Sequence, residues 1–174
     1  LLGPDTLYLE RPIAVGDDIA GLVAVDSSTT ITDFCCPRRV GEITLRRFVN
    51  GKFENRRVVS RGALALRVSL AIAGPVWHVT WMDYRRGVWD IYYRRSLDEG
   101  KSWRDERVIA RGTNQMGAQR PSIAVIDDTV HIAWMDGRDD QPACALEGGG
   151  ILPICTEVYT ARSVTRGAAW EAPV

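Results

Sequence analysis

Ser96-Leu97-Asp98-Glu99-Gly100-Lys101-Ser102-Trp103 is the stretch that decides the fold of this chain. Its fixed positions spell S-x-D-x-G-x-x-W, and each residue type has a physical task at a hairpin tip. Ser96 and Asp98 carry short acceptors for the backbone N–H groups that a tight turn exposes. Gly100 takes positive φ without a Cβ clash. Trp103 brings a large apolar plate to bury as the chain returns. Tyr92 and Tyr93 before it, and Val108 and Ile109 after it, supply β-prone strands.

The segments around this turn recur. Arg67-Val68-Ser69-Leu70-Ala71-Ile72 and Trp77-His78-Val79-Thr80-Trp81-Met82-Asp83-Tyr84-Arg85 reappear as Arg120-Pro121-Ser122-Ile123-Ala124-Val125 and Val130-His131-Ile132-Ala133-Trp134-Met135-Asp136-Gly137-Arg138. The shift is 53 residues (120 − 67), without a gap. A fainter copy precedes them, Arg11-Pro12-Ile13-Ala14-Val15 with Leu22-Val23-Ala24-Val25, at a shift of 56 residues (67 − 11). The second half of the unit recurs too. Ile43-Thr44-Leu45-Arg46-Arg47 is followed by a two-residue turn at Asn50-Gly51, and Ile91-Tyr92-Tyr93-Arg94-Arg95 by the full turn motif. Glu157-Val158-Tyr159-Thr160-Ala161-Arg162 is followed by Ser163, Thr165, Gly167 and Trp170, with Thr165 in the place of Asp. Alternation such as Trp77, Val79, Trp81 against His78, Thr80 predicts strands, four short antiparallel ones per unit. Gly and Pro at the junctions disfavour long helices.

Composition bounds the function. Formal charge is zero, with 22 basic and 22 acidic side chains, so no global field draws nucleic acid or an anionic membrane surface. Only Lys52 and Lys101 are lysines; the other basic residues are arginines, which suit bidentate pairing. No apolar run approaches the roughly 20 residues of a membrane span. The chain starts at Leu1 and shows no signal sequence, which reads as processing or trimming. Two insertions, Ser27 to Val40 and Asp139 to Thr156, lie between second and third strands and are read as loops on a rigid scaffold, where binding usually resides.

At the S-x-D-x-G-x-x-W stretch the chain resembles the Asp-box (BNR) repeat of sialidase-like β-propellers, matching at Ser96, Asp98, Gly100 and Trp103. The resemblance implies an all-β fold of antiparallel four-stranded blades. Three blades, at about residues 8–62, 64–112 and 118–174, make a single half-ring domain over 1–174. Sialidase-like rings have six blades, so closure as a homodimer is one expectation and membership of a longer chain another. Boxes in this family sit away from the active face, which makes Asp98 a turn clamp rather than a catalytic acid.

Candidate chemistry follows from the repeats. Arg11, Arg67 and Arg120 open the first strands and, in the resemblance, line a central channel where an arginine triad would hold a carboxylate. Arg11-Pro12-Ile13 is the nearest match to the family's Arg-Ile-Pro motif, with the last two residues exchanged. The plainer reading pairs each arginine with the Asp of Trp-Met-Asp-x-Arg in its own unit. Asp83 with Arg85, and Asp136 with Arg138, end the second strands; they serve a binding surface or fix the loop, and repetition favours fixing. His78 and His131 are repeat equivalents read as packing, with no metal site and no cofactor expected. Trp89 lies outside the repeated positions, as strand-start packing or a sugar platform. Cys35, Cys36, Cys144 and Cys155 all lie in insertions on one face. The residues leave reduced thiols open, whereas the commonly secreted family implies disulfides and an extracellular or periplasmic chain. The expected function is a non-catalytic recognition module for glycan or protein, with a fragment of a sialidase-like glycoside hydrolase as the alternative. A tyrosine–glutamate pair and an acid Asp, which a sialidase needs, are not placed by any motif.

Overall fold

The computed structural model describes residues 7–9, 13–15, 19–32, 37–114, 116–138, 142–145, 151–154 and 156–174, with side chains over 20–26, 29–32, 37–114, 116–138 and 156–174. Regular structure among them is all strand, and every pairing is antiparallel. In chain order the strands are β1 (Leu7–Leu9), β2 (Ile13–Val15), β3 (Ile19–Thr32), β4 (Pro37–Val49), β5 (Lys52–Phe53), β6 (Arg57–Ala73) and β7 (Val76–Asp83). There follow β8 (Asp90–Ser96), β9 (Arg107–Ala110), β10 (Ala118–Ile126), β11 (Thr129–Asp136), β12 (Pro142–Ala145), β13 (Ile151–Ile154) and β14 (Glu157–Ser163). No described helix is long and apolar enough to cross a membrane.

The three sequence repeats are three meanders. Unit two is the second half of β6 followed by β7, β8 and β9. Unit three is β10, β11 and β14, and residues 171–174 return along β14 through backbone bonds from Glu171 to Arg162 and between Val174 and Thr160. Unit one is β1 and β2, then β3, β4 and the first half of β6. One strand therefore closes unit one, with Leu45 opposite Arg57, and opens unit two, with Ala73 opposite Val76. Gly62, at φ 64°, lies between these halves and takes a conformation that a side chain would resist.

Register corrects the faint first copy. Val25 lies opposite Ile43, as Met82 lies opposite Ile91. The second strands of units one and two thus align at 57 residues (82 − 25), one more than the shift taken from Arg11. A one-residue slip in a strand exchanges its faces. Val23 and Val25 consequently face unit two, where they join Ile43, Leu45, Val68, Leu70, Trp77, Val79 and Trp81 in one core. The opposite face of unit two forms a second core with unit three, where Met82, Trp89, Ile91 and Tyr93 meet Ile123, Val130, Ile132 and Trp134. Covered on both faces, β7 is buried at all eight residues, whereas β11 alternates and leaves His131 exposed.

The insertions are not plain loops. The first is an extension of the β3–β4 hairpin, paired from Thr29 with Val40 to Thr32 with Pro37, and its Ile31 and Val40 reach the second core. The second contains the hairpin β12–β13, with Cys144 opposite Leu152. Cys35, Cys36 and Cys155 lie outside the described residues, as does Arg11.

Candidate functional site

At the tip of β8 the turn motif forms the bonds its residue types predict. Ser96 Oγ accepts the N–H groups of Asp98 (3.2 Å) and Gly100 (2.7 Å) and donates to Asp98 Oδ1 at 2.7 Å. Asp98 also accepts the backbone N–H and hydroxyl of Ser102, at 2.8 and 2.5 Å. Desolvation alone would raise the Asp98 pKa; the bonds from Ser102, Ser96 and the Lys101 backbone outweigh it and hold it at about 2. Trp103 packs on the first core, ahead of β9 rather than inside it. The Thr165 turn is built alike. Ser163 Oγ accepts from Gly167 at 2.9 Å, and Thr165 Oγ1 accepts from Ala169 at 2.8 Å, so a hydroxyl replaces the carboxylate. In unit one, Asn50 and Gly51 have φ of 49° and 76°, the two positive values of a short primed hairpin turn.

The other ends of the strands carry the Trp-Met-Asp-x-Arg groups. Asp83 is fully buried and accepts from Trp81 Nε1 (3.0 Å), the Arg85 backbone (3.0 Å) and Arg85 Nη2 (2.6 Å). Asp136 repeats this with Trp134 Nε1 (3.0 Å), the Arg138 backbone (3.0 Å) and Arg138 Nη2 (2.5 Å). The Arg85 guanidinium lies 4.4 Å from the Tyr92 ring centre and the Arg138 guanidinium 4.5 Å from that of Tyr159. Burial pulls the Arg85 pKa down, but Asp83 and Glu106 more than reverse it. Each Asp–Arg pair thus fixes the loop that leaves its own second strand.

Those carboxylates are consequently not partners of Arg67 and Arg120, contrary to the simpler expectation. Both arginines are exposed and form no ion pair among the described residues. They have φ of 55° and 53° and sit where β6 and β10 shift register, between Leu66 and Ser69 and between Gln119 and Ser122. Left-handed backbone at a non-glycine residue is costly, and it recurs at two equivalent bulges, each carrying an arginine with no ion pair among the described residues.

Of the remaining candidates His78 and Trp89 are packed, whereas His131, expected to pack as the repeat equivalent of His78, is exposed. His78 is buried with Nδ1 2.7 Å from Tyr93 Oη; burial, and behind it the charge of Arg95, pull its pKa down to about 4. Trp89 is buried against Tyr84, which rules it out as a sugar platform. Among the described residues no three of His, Cys, Asp and Glu come together as a metal site.

Sequence reasoning missed Asp90. It is fully buried at the start of β8, accepts Arg86 Nε at 2.6 Å and caps the Gly112 N–H at 2.9 Å. Glu42 caps Gly62 in unit one at 3.0 Å. Glu42, Asp90 and Glu157 stand at one register of the third strands, opposite Asp26, Asp83 and Asp136; that recurring acid was the available signal, obscured by the change from Glu to Asp.

No family model matches the chain, and no curated protein matches it. Among solved structures, a mutant of the NanB sialidase from Streptococcus pneumoniae is similar at 12% identity and a TM-score of 0.48. The match covers 97% of this chain and 30% of that one, so the chain spans under a third of that structure's length.

Proposed function

We propose that the three units are blades of a sialidase-like β-propeller, with Asp-box turns at Ser96 to Trp103 and Ser163 to Trp170. In this reading the chain is a non-catalytic recognition module that binds glycan or protein at the ends of the blades bearing the insertions. The observation that carries recognition is the pair Arg67 and Arg120: exposed, unpaired among the described residues and held at matching positive-φ bulges. A guanidinium kept free in a strained backbone suits a ligand carboxylate. The nearby acids Asp83 and Asp136 support a non-catalytic role, because each is already held by its own tryptophan and arginine.

A second reading, part of a sialidase-like glycoside hydrolase, draws on the same arginines, since a substrate carboxylate needs such a clamp. Turnover separates the two. The chain is expected to bind carboxylated glycans or acidic peptides, to lose at least tenfold in affinity with Arg67→Ala or Arg120→Ala, and to leave a fluorogenic sialoside intact. Hydrolysis abolished by Arg67→Ala would promote the enzyme; undiminished binding in both variants would remove the arginines from the site.

The outward face of unit three fits a further blade. Arg162 stands where Arg47 and Arg95 reach into the following unit's turn. Unit one has Asn50-Gly51 in place of a box, so a box-bearing blade fits this face better than unit one of a second copy, the homodimeric closure.

A further inference from the structure

The third strands carry an arginine at one register: Arg47, Arg95 and Arg162. Each carbonyl accepts the backbone N–H of a residue on the returning chain, Glu54 (2.8 Å), Arg104 (2.8 Å) and Glu171 (2.9 Å) respectively. In units one and three that residue is a glutamate and folds onto the arginine, with Arg47 Nη1 to Glu54 Oε1 at 2.8 Å and Arg162 Nη2 to Glu171 Oε1 at 2.9 Å. In unit two the glutamate is replaced by Arg104.

The seam with the next unit shows the same reversal. Arg47 Nη2 also reaches Glu99 Oε2, in the turn of unit two, at 3.0 Å. Arg95 reaches the equivalent residue of unit three, but that residue is Arg166, and only its carbonyl accepts, at 2.6 Å. The Arg166 guanidinium is engaged elsewhere, with Asp128 at 2.6 Å. Both carboxylates that neutralise Arg47 are therefore missing around Arg95.

A cavity of about 330 Å3 opens at this place, at the small end of the roughly 300–1,000 Å3 of ligand sites. Arg95, Arg104 and Arg107 line it, with Asp105 as its one lining carboxylate. Arg104 and Arg107 form no ion pair among the described residues. Tyr93 and Trp103 line it as well; the buried Trp103 Nε1–H has no hydrogen-bond partner, as is also true of its counterpart Trp170 in unit three. Like charges lining one cavity repel and an anion between them relieves that repulsion, while guanidinium forks match oxyanions bidentately.

We propose that this seam binds an oxyanion, a carboxylate, sulfate or phosphate on a ligand of about monosaccharide size, gripped by Arg95 and Arg104 where units one and three place a glutamate. The site lies by the box turn, since Arg95 is opposite His78, while Asp83 at the far end of β7 is opposite Asp90. At about 3.4 Å per residue the two ends are roughly 17 Å apart. The seam site is thus independent of the recognition face.

The test titrates the full chain with sulfate, phosphate, glucuronate and, as neutral control, glucose, at constant ionic strength set with chloride. The Trp103 indole resonance and the Arg95 and Arg104 Nε–H resonances report binding. Arg104→Glu restores the carboxylate of the other two units. Saturable shifts with at least one oxyanion are expected, weakened at least tenfold in Arg104→Glu, with its urea midpoint equal to or above that of the parent chain. Arg56→Ala, an exposed arginine that pairs with Asp26 and does not line this cavity, is expected to bind as before. Which oxyanion binds best identifies its source. Equal response to chloride (an adventitious ion only), no saturable shift, or undiminished binding in Arg104→Glu would overturn the proposal. Failure of Arg104→Glu to fold would overturn its premise, and Arg104→Gln would then test binding directly, with full affinity counting against it.

Discussion

Gly51 and Gly100 share a φ of 76°, yet they answer to different constraints. A Cβ on Gly51 meets nothing within 4 Å, so Gly51→Ala is expected to cost only the backbone preference, about 1 kcal/mol. A Cβ on Gly100 would lie 2.6 Å from Leu45 Cδ2 and 2.9 Å from Trp77 Cε3, inside the core shared with unit one. Gly100→Ala adds overpacking to the same backbone term and is expected to cost about 2–4 kcal/mol. Urea denaturation of the two variants checks this; equal losses would mean that the turn does not dock on the preceding unit.

Two side chains at this scale contribute to the acid limb of stability. The pKa of His78 is about 4 in the folded chain against an ordinary 6.5, so the unfolded chain takes up its proton first as pH falls. The stabilisation from neutral His78 is full above about pH 6.5 and lost towards pH 4, at most about 3 kcal/mol. Asp98 acts lower: its bonds contribute above its ordinary value near 3.8 and are lost as pH falls towards 2. Urea midpoints are expected to fall in the first window, and His78→Gln to flatten that fall. A midpoint constant from pH 6.5 to 4 would contradict the burial of this ring.

Between strands, the conspicuous acid and the important acid are different residues. Asp98 sits in the motif that catches the eye but near solvent, and Asp98→Ala is expected to cost about 1 kcal/mol. Asp90 has no motif, but it is fully buried and ties Arg86 to the end of β9 through Gly112. Asp90→Ala leaves the buried Gly112 N–H without its acceptor, while the half-exposed Arg86 returns to water, and is expected to cost about 2–3 kcal/mol. Thermal unfolding of both ranks them; Asp98→Ala as the worse variant would contradict the account. The same contrast marks what was legible. Units two and three could be read because Trp-Met-Asp-x-Arg recurs without a gap. Unit one lost a residue of register because Val23 and Val25 fit either face until Ile43 and Leu45 are placed opposite them. The Arg95–Arg104 seam was out of reach, since its meaning lies in which charges neighbour one another, and 104 becomes the counterpart of 54 only once the returning chain is in place.

For the molecule as a whole, both rows of arginines have a function only if the repeats stack. Stacking sets β10, which bears Arg120, beside β6, which bears Arg67, with the Ile123 N–H 3.4 Å from Ser69 Oγ, and it sets Arg95 against unit three's turn. It also explains one difference between equivalent positions. Ile43 and Ile91 are fully buried by the unit that follows, whereas Val158, at the same register of unit three, is 71% exposed. The most direct measurement is therefore urea unfolding of Ile91→Ala and Val158→Ala in the chain alone. Ile91→Ala is expected to lose about 2–5 kcal/mol and Val158→Ala less than about 0.5 kcal/mol. Equal losses, or Val158→Ala as the more damaging change, would contradict the stacking of these units and the sites built on it.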